Sequence, residues 1–264
     1  MTDSLQEFRV TSTPANTAGA PTLLLIHGFL DDASVWQGLV DSLAGEVATV
    51  RYDLCGFGTR SGSVADARLV TLESLAAEAG DIAQGIDGPV IAVGQSLGTQ
   101  VAELVAAQHP DHVRGLVLLT PVPLGGTRLP DEVVAPFRAL GGDRPAQRSV
   151  RADLSPHLSD EQLDRLADIG APVTGDVTAH YVDVWNDGLS DAPTTSAFGG
   201  PVMIIRGGAD GFVTEQLVNA VSQRFVQPEL KVVDKGGHWV HVEHPGTVGT
   251  MILDFVDSVA EVTP

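Results

Sequence analysis

The chain has 264 residues, 43% hydrophobic and 19% charged, enough apolar material for one large α/β domain or two smaller ones. Its net charge of −19 argues against nucleic acid or an anionic membrane as partner, because a phosphate surface would be repelled. No apolar run approaches the roughly 20 residues needed to span a bilayer, Cys55 is the single cysteine, and no Cys/His cluster has zinc spacing. With an acidic, polar start at Met1–Glu7, these features predict a cytoplasmic protein without metal or cofactor.

In chain order, Glu7–Ser12 alternates and predicts an edge strand, and Thr13–Pro21 reads as a loop. Thr22–Ile26 is a continuous apolar run, the mark of a strand covered on both faces. It ends in His27-Gly28-Phe29-Leu30. Asp31, Asp32 and Ser34 then offer N-caps for a helix through Trp36, Leu39, Val40 and Leu43. Val47–Tyr52 predicts the next strand, followed by the loop Asp53–Gly62 with its three glycines, and then a helix over Leu69–Ile86.

Val90–Val93 is a short apolar run that leads directly into Gly94-Gln95-Ser96-Leu97-Gly98, and Val101, Leu104 and Val105 follow at helical spacing. Strand, Gly-x-Ser-x-Gly turn and helix together form the context of a nucleophile elbow. Such a turn needs small residues because strand and helix backbones approach closely. Val113–Leu119 predicts a further buried strand.

Apolar strands alternating with helices imply a parallel sheet with helices on both faces. Ligands of such sheets bind beyond the carboxyl ends of the strands, where His27, Asp53 and Ser96 all fall. From Leu124 to Gly200 the alternation breaks. Helical pieces are predicted over Pro130–Leu140, Ser159–Ile169 and Thr174–Trp185, which reads as a helical lid. The chain thus divides into a core of 1–123 and 201–264 and a cap of 124–200. The sheet resumes at Val202–Arg206 and Leu230–Asp234, and a last helix runs over Gly246–Val259.

A serine hydroxyl needs a general base, and the base needs an orienting carboxylate. Asp210 and His238 lie in the loops after the last two strands, in the order Ser, Asp, His. His241 is the main rival base and His244 a weaker one; Asp234 is the weaker rival acid. The oxyanion donors are assigned to the backbone N–H groups of Phe29 and Leu97. His27 is expected to brace its loop through a side-chain hydrogen bond.

The motifs His27-Gly28-Phe29, Asp53-x-x-Gly56-Phe57-Gly58, Gly94–Gly98, Gly208-Ala209-Asp210 and Gly237-His238 together resemble the α/β-hydrolase fold family. The resemblance implies a mostly parallel, roughly eight-stranded sheet with a helical cap after the sixth strand. It also implies a triad of Ser96, His238 and Asp210. Two departures from the family pattern stand out. Gln95 replaces a common histidine, and the Gly58–Gly62 loop is one residue longer, which leaves Arg60 either facing substrate or on the surface.

The leading functional expectation is hydrolysis of a carboxylic ester or lactone of a small-to-medium, largely apolar substrate. Phe29, Leu30, Leu97, Val122, Trp185, Phe212 and Trp239 are expected to line the pocket. Carbon–carbon bond hydrolysis of a diketone is the alternative, followed by a perhydrolase or a ligand-binding receptor that retains the fold. The sequence sets neither the oligomeric state nor the substrate.

Overall fold

The computed structural model describes residues 10–16 and 19–262. Seven strands form one sheet: β1 (Thr11–Thr13), β2 (Thr22–Ile26), β3 (Ala48–Arg51), β4 (Val90–Gln95), β5 (Val113–Leu119), β6 (Val202–Gly207) and β7 (Glu229–Val233). Their order is β1-β3-β2-β4-β5-β6-β7. Only β1 runs antiparallel to its neighbour; every other pairing is parallel. The expected count of eight is therefore corrected to seven among the described residues. The predicted first strand survives as β1, shifted towards the C-terminus, and residues 7–9 lie outside the described part.

Alternation along each strand sends successive side chains to opposite faces. Leu24 and Ile26 of β2 join one core with Ala92, Leu116 and Ile204. Leu23 and Leu25 join the other with Ile91, Val93, Val117 and Ile205. The first core is covered by α2 (Leu72–Gln84), α3 (Leu97–Gln108) and α8 (Glu215–Ser222); the second by α1 (Gln37–Ser42) and α9 (Pro245–Val262). All five β2 residues are buried, and each of its leucines contributes about 2 kcal/mol by leaving water. Both faces being covered is why this strand reads as an unbroken apolar run.

The strand order reverses direction at β2, with β3 on one side and β4 on the other. The crevice beyond the carboxyl ends of these strands is the expected binding place. Between β5 and β6 come four helices and no strand: α4 (Asp131–Arg138), α5 (Arg144–Leu154), α6 (Asp160–Gly170) and α7 (Gly175–Asp187). Three match the sequence expectation. The α5 helix was not foreseen, because the residues it buries are Gln147 and Arg151 and it carries no apolar periodicity on its buried face. The α6 start is the expected capping box, with Ser159 and Gln162 each bonding the other's backbone N–H. Among the described residues, no helix is long and apolar enough to cross a membrane.

Candidate active site

Ser96 sits between β4 and α3 with φ 52° and ψ −121°, a left-handed conformation that costs energy for a residue with a Cβ. The surroundings hold it there. Its N–H donates to Leu119 O (3.0 Å), and its carbonyl accepts from Thr99 N (2.9 Å) and Thr99 Oγ1 (2.6 Å). The flanking glycines are required by contact rather than by φ. A Cβ on Gly94 would stand 2.2 Å from Gly98 O, and one on Gly98 2.2 Å from Ile26 O. The elbow is thus pressed against the end of β2, and a Cβ on Gly28 would meet Ser96 Cβ at 3.2 Å. That contact brings the loop bearing Phe29 alongside the serine.

The structure brings Asp210 and His238 together. His238 Nδ1 lies 2.9 Å from Asp210 Oδ2. Asp210 Oδ1 accepts from the N–H groups of Phe212 (2.8 Å) and Val213 (3.0 Å). Burial opposes ionisation of this carboxyl, but the His238 charge and these hydrogen bonds outweigh it and hold Asp210 below the usual range. A carboxylate acceptor at Nδ1 requires the proton there, which leaves Nε2 free to act as a base.

The His238 backbone is fixed from two sides. Its N–H donates to Leu154 O at the end of α5 (2.9 Å). Its carbonyl accepts from Gln95 Nε2 (3.1 Å) and Thr120 Oγ1 (3.0 Å). Gln95, whose role the sequence left open, therefore ties the elbow to the base loop.

His27 braces its loop as expected. Its Nε2 accepts from Leu54 N at 2.9 Å, which puts the proton on Nδ1, 2.8 Å from Gly28 O. The rival base His241 lies elsewhere: it is fully buried and stacked on Trp36 at 4.4 Å between ring centroids. Burial first, and then the nearby His238 charge, push it down to about 3. Asp31 is no helix cap; Asp32 caps instead, accepting from Ser34 N. Arg60 forms a two-pronged ion pair with Glu78 and donates to Asp53 O (2.9 Å), so its guanidinium is already committed.

Ser96 and His238 open onto one cavity with about 540 Å³ of empty space, its mouth included. Phe29, Leu30, Val122, Trp185, Phe212 and Trp239 line it. Leu97 does not: its side chain is fully buried in the core, leaving only its backbone as a candidate donor. Edge-to-face contacts knit the wall together, with ring centroids 5.7 Å apart for Trp185 and Phe212 and 5.9 Å for Phe137 and Phe212.

A family model described as "alpha/beta hydrolase fold" matches residues 21–245. The chain belongs to this family. Lipase LipV of Mycobacterium tuberculosis is 33% identical over 157 residues, covering 56% of this chain and only 58% of that lipase. A pimeloyl-(acyl-carrier protein) methyl ester esterase of Yersinia pseudotuberculosis is 26% identical over 252 residues, 89% of this chain and 93% of the esterase. Among solved structures, a hydrolase from Oleispira antarctica superposes with a TM-score of 0.80 at 17% identity, over 97% of this chain and 96% of that one.

What sequence reasoning missed in this alpha/beta hydrolase comes from the inserted helices. Phe137, Leu140, Val150, Arg151 and Leu154 also line the cavity. Arg151 is the charged surprise. It is 2% exposed, and its Nη2 donates to Leu30 O at 2.7 Å with Asp31 Oδ1 at 3.4 Å. Burial pushes Asp31 up, against the pull of Arg151 and Trp239, and pushes Arg151 down. The sequence signal was the Asp31/Arg151 pairing of charges, separated by 120 positions and invisible without the fold.

Proposed function

We propose that this alpha/beta hydrolase cleaves a carboxylic ester or lactone of a small-to-medium, largely apolar substrate. Ser96 Oγ attacks the carbonyl while His238 Nε2 takes its proton. Asp210 orients the imidazole and offsets the positive charge it gains. The N–H groups of Phe29 and Leu97 receive the oxyanion, Leu97 from the head of α3 where unpaired donors cluster. Collapse of the tetrahedral intermediate releases the alcohol, protonated by His238, or opens the lactone ring. Water, activated by the same histidine, then adds to the acyl-enzyme and frees the acid and the serine. None of these steps requires a metal or an organic cofactor.

The observation that carries this reading is the coupling of two features at one cavity: a serine held in a left-handed conformation and a histidine 2.9 Å from a buried carboxylate. The names of the lipase and esterase relatives point the same way. The aromatic wall favours an uncharged, mostly apolar acyl or alcohol group. Residues 124–200 serve as the cap over that wall, since five residues of their helices face the cavity on α4, α5 and α7: Phe137, Val150, Arg151, Leu154 and Trp185.

A fluorophosphonate probe tests the assignment. The protein is expected to be labelled at Ser96 and, in parallel, to turn over a fluorogenic ester panel with preference for neutral acyl groups. Folded Ser96→Ala protein should do neither. Labelling at another residue, or turnover surviving in Ser96→Ala, would sink the proposal.

A further inference from the structure

The side chain in the cavity that the mechanism leaves without a role is Arg151. Its bonds and a ring contact tie two parts of the machinery, the loop after Phe29 and Trp239, to its own helix, where Nη1 also donates to Gln147 Oε1 (3.3 Å). Nη2 donates to Leu30 O at 2.7 Å, in the loop directly after Phe29. Asp31, 3.4 Å away, accepts through its other oxygen from Trp239 Nε1 (2.8 Å), the residue after His238. The guanidinium also lies over the Trp239 ring, with Cζ 5.3 Å from the centroid. One turn later, the end of α5 accepts from His238 N through Leu154 O (2.9 Å) and from Trp239 N through Ser155 Oγ (2.9 Å). The oxyanion loop and the base loop are therefore joined through a single buried helix end.

The Leu30 bond matters most, because Leu30 has φ 58°, a left-handed conformation that a leucine adopts only when held. That twist sets where its carbonyl points and, through the preceding peptide, how Phe29 presents its N–H. The carbonyl is also enclosed from the α6 side, where a Cβ on Gly170 would come within 3.0 Å of it. Asp31 lies close enough to neutralise Arg151, so the guanidinium is not a free charge awaiting an anionic substrate group. A specificity role would need a cation without such a partner.

We infer that Arg151, with Asp31, is a positioning residue: it locks Leu30 and Trp239 to α5 so that the Phe29 N–H and the His238 imidazole hold their catalytic places. This rests on the ester-hydrolase reading of Ser96 above. Removing the guanidinium frees the Leu30 carbonyl and lets both loops drift. Misplacement of reacting groups by about 1 Å costs on the order of 100-fold, so kcat is expected to fall roughly 10- to 100-fold.

The experiment compares Arg151→Met, Arg151→Lys and the double variant Arg151→Met/Asp31→Asn with the parent enzyme, on an acetate ester and a hexanoate ester. Thermal melting is measured alongside. Arg151→Met leaves Asp31 buried without its cation, bonded to Trp239 Nε1, and is expected to melt lower; the double variant removes both charges and is expected to recover most of that loss. The positioning role predicts that kcat stays low in the double variant, equally for both esters, with KM little changed. Arg151→Lys, which still reaches Leu30 O, is expected to regain part of the rate. A double variant with both stability and kcat of the parent would reduce the pair to a structural ion pair and overturn the inference. A loss confined to KM of the longer ester would overturn it in favour of a specificity role. A parent enzyme that neither turns over esters nor labels at Ser96 is a different failure, that of the underlying reading.

Discussion

The strand β4 and the helix α5 end at the same cavity, and they are held there by opposite means. All six β4 residues are buried, most of them apolar and packed into the two cores. The α5 helix buries a glutamine and an arginine. Gln147 donates to Leu140 O (2.9 Å) and Gly170 O (3.1 Å), and Arg151 to Leu30 O. Its outer side pairs Arg148 with Asp160 and Asp164, and Arg144 with Asp168. Apolar burial has no direction; it fixes that an element is inside but tolerates small rotations. Hydrogen bonds to named acceptors fix where an element points. At this cavity β4 is placed by the first means and α5 by the second.

The largest effect is expected from Asp210→Asn, which removes a directed contact on the core side, in the loop after β6. The amide keeps the shape but favours the wrong histidine tautomer, and kcat is expected to fall about 10⁴-fold with KM nearly unchanged. Steady-state kinetics on a neutral ester reads this directly; a loss under tenfold would mean that the Asp210–His238 contact does not orient the base.

His241 tests the apolar half. Neither of its ring nitrogens has a hydrogen-bond partner among the described residues, and it is neutral down to about 3 in the folded protein. Unfolded, it would take a proton near 6.5. The unfolded chain therefore binds more protons between these values, so this group's contribution is complete above about pH 6.5 and is lost as pH falls towards 3. His241→Phe is expected to flatten that acid limb by a few kcal/mol (roughly 1.4 per pH unit) and to cost little at pH 7. Denaturant melts of both proteins at pH 7 and pH 4.5 measure it; identical pH slopes would contradict the buried, neutral assignment.

The smallest effect belongs to the outer face of α5. Arg148 is a third exposed, and its pairs with Asp160 and Asp164 are screened by water. Arg148→Gln is expected to leave the melting temperature nearly unchanged, with activity unchanged. A loss of rate comparable to that of Arg151→Met would show that the orientation of α5 is set from its exposed side, and the contrast drawn above would fail.

The same contrast explains what the sequence discloses. The β2, β4 and β5 strands were legible because burial on both faces turns them into apolar runs. The elbow was legible because its glycines answer a steric demand that few sequences satisfy. Asp210 and His238 were legible because both follow strand ends. The α5 helix was not, since its buried face is polar and its bonding partners, Leu30, Asp31 and Gly170, lie far away in sequence. The role of Arg60 stayed open for a related reason: its partner Glu78 sits on α2, and nothing local announces the pairing. Among the described residues there are seven strands rather than roughly eight, because the family pattern, rather than any residue, supplied the eighth.

The His238 backbone, bonded through its carbonyl to Gln95 and Thr120 and through its N–H to Leu154, bears on how freely the segment between β5 and β6 can be exchanged. A transplant from another hydrolase would bring its own specificity, but it would also have to deliver a carbonyl to that N–H. Chimeras joined at 123/124 and 200/201 without such an acceptor would inherit a pocket and lose the base. The inserted segment supplies the acceptor for the His238 N–H, so the core depends on it for that bond.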